Sequence, residues 1–304
     1  MILLTGATGF VGSNLLKTLL ARKYQLCCIK RSSSNDSRVL EFMDACIWYN
    51  IDEIDVESIF LNHPIETVIH CATDYGRDGA DAVQVYQSNI SFPLKLLDCA
   101  QRHGSRLFIN TDSFFVRQAD ALWREEKEPY KAMYTRSKYI FTCVVKDQIK
   151  RRKISFVNLQ LEHVYGPGDG KDKFVSFLLE SLLCNREWLK LTSGDQMRDF
   201  IYVEDVANAY LAVLENIGEF ERGIFYQFEL GTGRATTLRA FIEKAKEVTG
   251  SVTRLEFGQK SMMEHEVMYS CADNHGLIQL GWRPQFSIAE GLEKLIHSMY
   301  LKKN

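Results

Sequence analysis

The chain lacks several features that would remove it from the ordinary globular class. None of its apolar runs approaches the ~20 residues that cross a bilayer. No basic segment leads into a long apolar stretch at its start, so no signal peptide is expected and a cytoplasmic location is. There is no Cys-x-x-Cys, and no His stands near a Cys at zinc spacing. Its eight cysteines, at 27, 28, 46, 71, 99, 143, 184 and 271, therefore read as reduced structural thiols, and no metal site is expected. No large block of like charge occurs: 37 Lys and Arg oppose 39 Asp and Glu. The densest basic run, Lys150-Arg151-Arg152-Lys153, reads as the cationic end of a helix. Neither nucleic acid nor membrane is an expected partner. Repeats and low-complexity linkers are missing too.

What remains is a chain of 304 residues, 46% hydrophobic and 25% charged, with ample length to bury a core. Short apolar runs alternate with longer amphipathic ones. Strands are expected at Ile2–Leu4, Gln25–Lys30, Ala45–Tyr49, Thr67–His70, Arg106–Asn110 and Ile154–Gln160. Helices are expected near 11–22, 37–43, 55–62, 82–103 and 131–151. That alternation predicts an α/β protein with a doubly wound parallel sheet of the Rossmann type. After about residue 163 the rhythm changes at the turn cluster Tyr165-Gly-Pro-Gly168. The expected organisation is a dinucleotide-binding domain over 1–163. A smaller mixed lobe over 164–304 binds substrate, with some segments returning to the first domain. Trp48, Trp123, Trp188 and Trp282 read as packing or surface aromatics.

The first turn, Thr5-Gly6-Ala7-Thr8-Gly9-Phe10-Val11-Gly12, follows a strand and opens a helix. Gly6 and Gly9 allow a sharp turn close to a pyrophosphate, and Gly12 allows close helix packing. The phosphates would face the helix N-terminus, where free N–H groups and the dipole favour anions. At the end of the second strand an acidic residue would hold the ribose 2′-hydroxyl of NAD(H). The chain instead has Lys30-Arg31-Ser32, a combination suited to the 2′-phosphate of NADP(H). Asp36 keeps NAD(H) open.

Tyr134 and Lys138 share one helix face at i,i+4. An ammonium near a phenol lowers its pKa and makes it a usable proton donor or acceptor. Thr111, at the end of a preceding strand, would hydrogen-bond the same substrate oxygen.

Together these motifs resemble the extended short-chain dehydrogenases/reductases of the NAD-dependent epimerase/dehydratase family. The resemblance covers essentially the whole chain. It rests on Thr5–Gly12, Asn89, the Thr111/Tyr134/Lys138 triad, Val164–Asp169, Gln196–Asp205 and Leu280–Pro284. A narrower likeness lies in Ala72–Gly79 and Asn110–Phe115, which resemble the bacterial CDP-abequose and CDP-paratose synthases. The resemblance implies NADPH-dependent reduction of the 4-keto group of a nucleotide-linked deoxyhexose, in O-antigen synthesis. It implies a cofactor site of Gly6, Thr8, Gly9, Phe10, Val11, Gly12, Lys30, Arg31, Ser32, Cys71, Ala72, Thr73, Asn89, Tyr134 and Lys138. It places substrate at Tyr75, Arg77, Thr111, Asp112, Ser113, His163 and Arg198. For Arg198 the bland alternative is an ion pair with Asp199 or Asp195; for Asp112 and His163 it is a structural hydrogen bond. Helices near 82–103 and 134–150 resemble those that form a four-helix dimer interface in this family, so the resemblance implies a homodimer.

There are departures from the family pattern. Dehydratases follow the triad Thr with Asp-Glu; here Ser113 replaces the Glu, which disfavours loss of water. Thr73 stands where Ala is usual, and Gln160-Leu-Glu-His163 where Arg-x-x-Asn is usual. The alternative activity is a 4-epimerase with tightly bound NAD. A regulatory nucleotide-binding protein without turnover is disfavoured, because Tyr134 and Lys138 are both kept.

Overall fold

The structure, a computed structural model, describes residues 1–77, 79, 81–118, 129–262 and 266–301. Asp78 and Trp123 lie outside them. The chain divides into two compact units, Met1–Leu161 with Tyr210–Glu229, and Glu162–Ala209 with Leu230–Asn304.

The first unit is built on a seven-stranded sheet. Its strands are β1 (Ile2–Thr5), β2 (Leu26–Lys30), β3 (Ile47–Asn50), β4 (Thr67–His70), β5 (Leu107–Ser113), β6 (Ser155–Leu161) and an edge strand, Phe225–Leu230. Their spatial order is edge strand, β6, β5, β4, β1, β2, β3, with the order reversing beside β1. Strands β1 to β6 pair in parallel. Every residue of β1, β4 and β6 is buried, as expected of strands covered on both faces. Helices α1 (Phe10–Ala21), α2 (Val56–Asn62), α3 (Ala82–Tyr86) and α4 (Phe92–Arg102) provide crossovers, as does Pro129–Gln148. Leu3, Val68, Leu96, Leu97, Phe108, Phe141 and Phe156 anchor one core cluster. Parallel pairing brings the C-terminal ends of β1, β4, β5 and β6 to one edge of the sheet.

Two helices differ from expectation. The stretch near 37–43 forms a 3₁₀ turn, Leu40–Ala45. The long helix near 82–103 is interrupted by a π-helical turn, Gln87–Ser91, in which Phe92 N–H donates to the Gln87 carbonyl. Pro93, in the first turn of α4, supplies the reason: it has no N–H for the carbonyl four residues back, and a wider turn relieves the ring clash.

The second unit has its own core of Tyr165, Leu178, Leu179, Leu182, Phe200, Phe241, Ile242 and Leu292. His163–Tyr165 pairs in parallel with Phe200–Tyr202, and Trp188–Lys190 with Arg254–Glu256. Helix Leu238–Thr249 starts at Thr237, whose side chain accepts from Ala240 N–H, and stops at the left-handed Gly250. Trp282 is buried and donates to the Asp205 carbonyl at 3.0 Å, whereas Trp188 is half exposed.

Candidate active site

The turn after β1 is held by its glycines. Gly6 has φ +71°, and a Cβ there would meet Ala72 N at 2.5 Å. A Cβ on Gly12 would meet the Gly6 carbonyl oxygen at 2.1 Å, so α1 lies against the turn. Gly9 caps α1 with no side-chain hydrogen bond, and the first turn holds no acidic residue. That leaves helix N–H groups and the dipole for an anion, a fit to a dinucleotide pyrophosphate contributed by Gly6, Thr8, Gly9, Phe10, Val11 and Gly12. Behind the turn, Thr5 Oγ1 and His70 Nδ1 share a hydrogen bond of 2.8 Å, and Ala72 N–H donates to Thr5 Oγ1 at 3.3 Å. His70 is buried, and burial holds its imidazole well below the usual pKa, hence neutral.

At the end of β2, Lys30 Nζ lies 2.5 Å from Asp36 Oδ2, both partly buried. The Ser32 N–H donates to Asp52 at 2.9 Å, and its hydroxyl bonds the same carboxylate. Arg31 is exposed. Arg38, which spacing did not single out, donates to the Thr8 carbonyl at 3.2 Å and so reaches the phosphate turn.

Asn89 sits in the π-helical turn, buried. Its Oδ1 accepts from Thr73 Oγ1 at 3.1 Å and from Asp74 N–H at 2.8 Å. Its Nδ2 donates to the Asp74 carbonyl at 2.8 Å and to Ser137 Oγ at 2.9 Å. Asn89 thus ties the Cys71-Ala72-Thr73 segment to the helix that carries Tyr134 and Lys138. It supports that segment through protein contacts.

Lys138 Nζ donates to the Thr111 carbonyl at 2.8 Å. The Tyr134 ring stacks on Tyr75, centroids 4.9 Å apart, and the Tyr134 phenol shares a hydrogen bond with Ser113. Arg77 lies over the other partner of that stack, 5.6 Å from the Tyr75 centroid. Thr111, Tyr134 and Lys138 are therefore gathered at the end of β5, with Tyr75, Arg77 and Ser113 around them. One expectation is corrected: the net shift of the Tyr134 phenol is upward. Burial pushes it well above its usual value, with Tyr75 and Asp112 adding to the push. Burial also lowers Lys138, against the pull of Asp112.

Asp112 ends a buried polar ladder across β5 and β6. Asn110 Nδ2 donates to Asn158 Oδ1 at 2.7 Å, and Asn158 Nδ2 to Asp112 Oδ2 at 2.8 Å. Gln160 Nε2 approaches the same oxygen at 3.4 Å. Burial raises the Asp112 pKa, countered by the nearby Lys138 charge.

In the second unit, Arg198 pairs with Glu266 at 3.3 Å and donates to the Met197 carbonyl. Its bland alternative named the wrong partners. Asp199 instead accepts from Thr232 N–H at 2.9 Å and Gly233 N–H at 2.9 Å. His163 lies 3.6 Å from Glu162, whose carboxylate accepts from Ser270 Oγ at 2.5 Å. Burial lowers the His163 pKa.

Sequence reasoning missed Ser137, Asn158, Glu266 and Tyr210. Asn158 carried a signal: polar residues at 158 and 160 alternate on a strand that is, Ser155 apart, otherwise apolar. Tyr210 carried none, because it stands in the helical run Ala209–Leu214, whose other residues are all apolar. Yet its hydroxyl lies 2.6 Å from Thr111 Oγ1.

A phosphate cradle after β1 and a Tyr-Lys pair against β5, on a doubly wound sheet, define a dinucleotide-dependent enzyme of the oxidoreductase type. The chain belongs to the NAD dependent epimerase/dehydratase family, which matches residues 2–227. It is 35% identical over 298 residues to the CDP-abequose synthase of Salmonella typhimurium, covering 97% of each chain. It is 25% identical over 312 residues to a putative UDP-glucose 4-epimerase of Methanocaldococcus jannaschii, covering 98% of each. Among solved structures, the UDP-glucose 4-epimerase of Thermotoga maritima, determined with UDP-glucose, superposes with a TM-score of 0.82 at 25% identity. That match covers 100% of this chain and 99% of the other. Among the described residues no helix is long and apolar enough to cross a membrane, and no cluster of metal-ligating side chains occurs.

Proposed function

We propose that the protein reduces the 4-keto group of a nucleotide-linked deoxyhexose, CDP-4-keto-3,6-dideoxyglucose or a related 4-keto-6-deoxy sugar, with NADPH. The observation that carries this reading is the gathering of Thr111, Tyr134 and Lys138 at the end of β5, where Lys138 Nζ donates to the Thr111 carbonyl and the Tyr134 phenol bonds Ser113. A proton donor, a cationic neighbour and a second hydroxyl are the groups that ketone reduction needs. The whole-chain likeness to CDP-abequose synthase supports the substrate class. Ser113, in place of the dehydratase glutamate, supports reduction over loss of water.

The glycine turn from Gly6 to Gly12 would hold NADPH, which when bound would supply the hydride for the C4 carbonyl carbon. Tyr134 gives its hydroxyl proton to the carbonyl oxygen, and solvent later restores it. Lys138, fixed on the Thr111 carbonyl, places a positive charge that stabilises the phenolate left behind. Thr111 hydrogen-bonds the oxygen as charge develops on it. Tyr75, Arg77, Asp112 and Ser113 are the first unit's candidates for contacts to the sugar nucleotide; in the second unit the candidates are His163 and, for the diphosphate, Arg198. Arg31 and Lys30 would hold the 2′-phosphate. NAD(H) is the second reading for the cofactor, favoured by Asp36, whose buried Oδ1 has no hydrogen-bond partner. The protein works as a cytoplasmic homodimer, and light scattering at micromolar concentration tests that state.

NADPH and NADH oxidation with CDP-4-keto-3,6-dideoxyglucose, beside GDP-, UDP- and dTDP-4-keto-6-deoxy sugars, tests the activity. Oxidation of NADPH that Tyr134→Phe abolishes supports the reductase. No oxidation, together with stoichiometric NAD in the purified protein, replaces it with the 4-epimerase.

A further inference from the structure

The Thr111 hydroxyl is not free to point where it will. It donates to Cys71 Sγ at 3.1 Å and sits 2.6 Å from the Tyr210 hydroxyl. Tyr210 also shares a hydrogen bond with Cys71. Its side chain is fully buried, in a helix whose neighbouring positions are apolar. These contacts make a closed triangle of three groups with one proton each: Tyr210, Thr111 and Cys71.

A threonine hydroxyl has one proton and two lone pairs. With its proton directed to Cys71, Thr111 can meet Tyr210 only as an acceptor, so the Tyr210 O–H donates. Burial holds the Tyr210 phenol well above its usual pKa and the Cys71 thiol at about 11, so both enter the triangle protonated. Accepting a hydrogen bond makes a hydroxyl a better donor in turn. Sulfur is a weak acceptor, so the Thr111 proton rests on Cys71 at little cost.

Resting on the triad reading above, we infer that Tyr210 is a positioning residue: it donates into the Thr111 hydroxyl, whose single proton then turns from Cys71 to the developing substrate alkoxide. No covalent bond breaks at Thr111 or Tyr210; the transferred proton is that of Tyr134. Without the Tyr210 donor, Thr111 would have a second direction for its proton and would be a weaker donor in the productive one. The cost falls on the transition state, where the oxygen is most negative.

A double-mutant cycle tests this on the full-length protein. Tyr210→Phe should lower kcat about tenfold, the size of one neutral hydrogen bond, with KM within about twofold. In a Thr111→Val background, the same change should alter kcat by less than about twofold. Losses that simply multiply, or a loss carried by KM, overturn the inference. Replacement of Tyr210 by 3-fluorotyrosine separates direction from packing: a more acidic phenol is a stronger donor, so kcat should rise. A fall would make Tyr210 the acceptor and overturn the inference.

Proton NMR supplies a readout that needs no turnover. A low-field hydroxyl resonance should be present in the wild type and lost in both Tyr210→Phe and Thr111→Val. Survival in Thr111→Val would mean that Tyr210 donates to Cys71 alone, which overturns the inference. Failure of the reductase reading appears separately, as a wild type that oxidises neither cofactor while the resonance behaves as expected.

Discussion

Replacing Asn89 by alanine removes four hydrogen bonds from one buried side chain. A net hydrogen bond contributes about 1 kcal/mol, so the upper figure is about 4 kcal/mol. Two of the stranded groups recover something. Ser137 still donates to the Tyr134 carbonyl at 2.7 Å, and the half-buried Asp74 can take water. The expected loss is then about 2–3 kcal/mol, a fall in Tm of about 5–10 °C for a domain of this size. The freed segment carries Thr73, so dinucleotide affinity should fall in the same variant. Thermal unfolding and a fluorescence titration with NADPH measure the two effects. Asn89→Asp is the sharper control. It keeps the acceptor for Thr73 and Asp74 N–H but sets a carboxylate oxygen against the Asp74 carbonyl, so it should be at least as harmful. A Tm within about 2 °C of wild type for either variant would refute the reasoning.

Gly12→Ala should weaken NADPH binding about tenfold or more, because its Cβ would meet the Gly6 carbonyl oxygen at 2.1 Å and the phosphate turn must shift. A dissociation constant within about twofold of wild type would contradict the packing described. Asp36→Ala removes the carboxylate beside Lys30, so the ratio of NADPH to NADH affinity should rise; comparative titrations read it, and a falling ratio would count against Lys30 as a phosphate ligand. Burial raises Asp205 to about 6. Its folded form binds protons more tightly than its unfolded form, so its contribution is full below the unfolded value of ~4 and is lost as pH rises towards about 6. Urea midpoints across that window should fall less steeply with rising pH for Asp205→Asn, and an unchanged slope would be the adverse result.

The alternation of strands and helices made the sheet legible, since buried parallel strands leave continuous apolar runs such as Ile2–Leu4 and Thr67–His70. The glycine turn after β1 was legible because glycine spacing encodes backbone geometry. The π-helical turn at Asn89 was not, because periodicity reports which residues face inward and not which carbonyl a given N–H reaches. The edge strand Phe225–Leu230 escaped for a related reason: its pairing with β6 joins segments far apart in the chain. At Lys30 the residue type was informative but its partner was not. Charge composition does not reveal that Asp36, six residues on, takes up the ammonium. The same limit hid Tyr210, whose single polar atom is outweighed by its ring in any reading of apolar pattern.

The return of Tyr210–Glu229 to the first unit bears on how this protein can be divided. A fragment that stops near residue 161 would lose the strand beside β6 and the Phe220 carbonyl that accepts from Ser155 Oγ at 2.9 Å. It would present an open row of backbone donors and acceptors, a template for pairing with other chains. The two units therefore cannot be cut, expressed or exchanged as cassettes at a single point. A folded module of the first unit needs residue 161 joined to residue 210 by a new linker, and a replacement for the second unit must be inserted at two places.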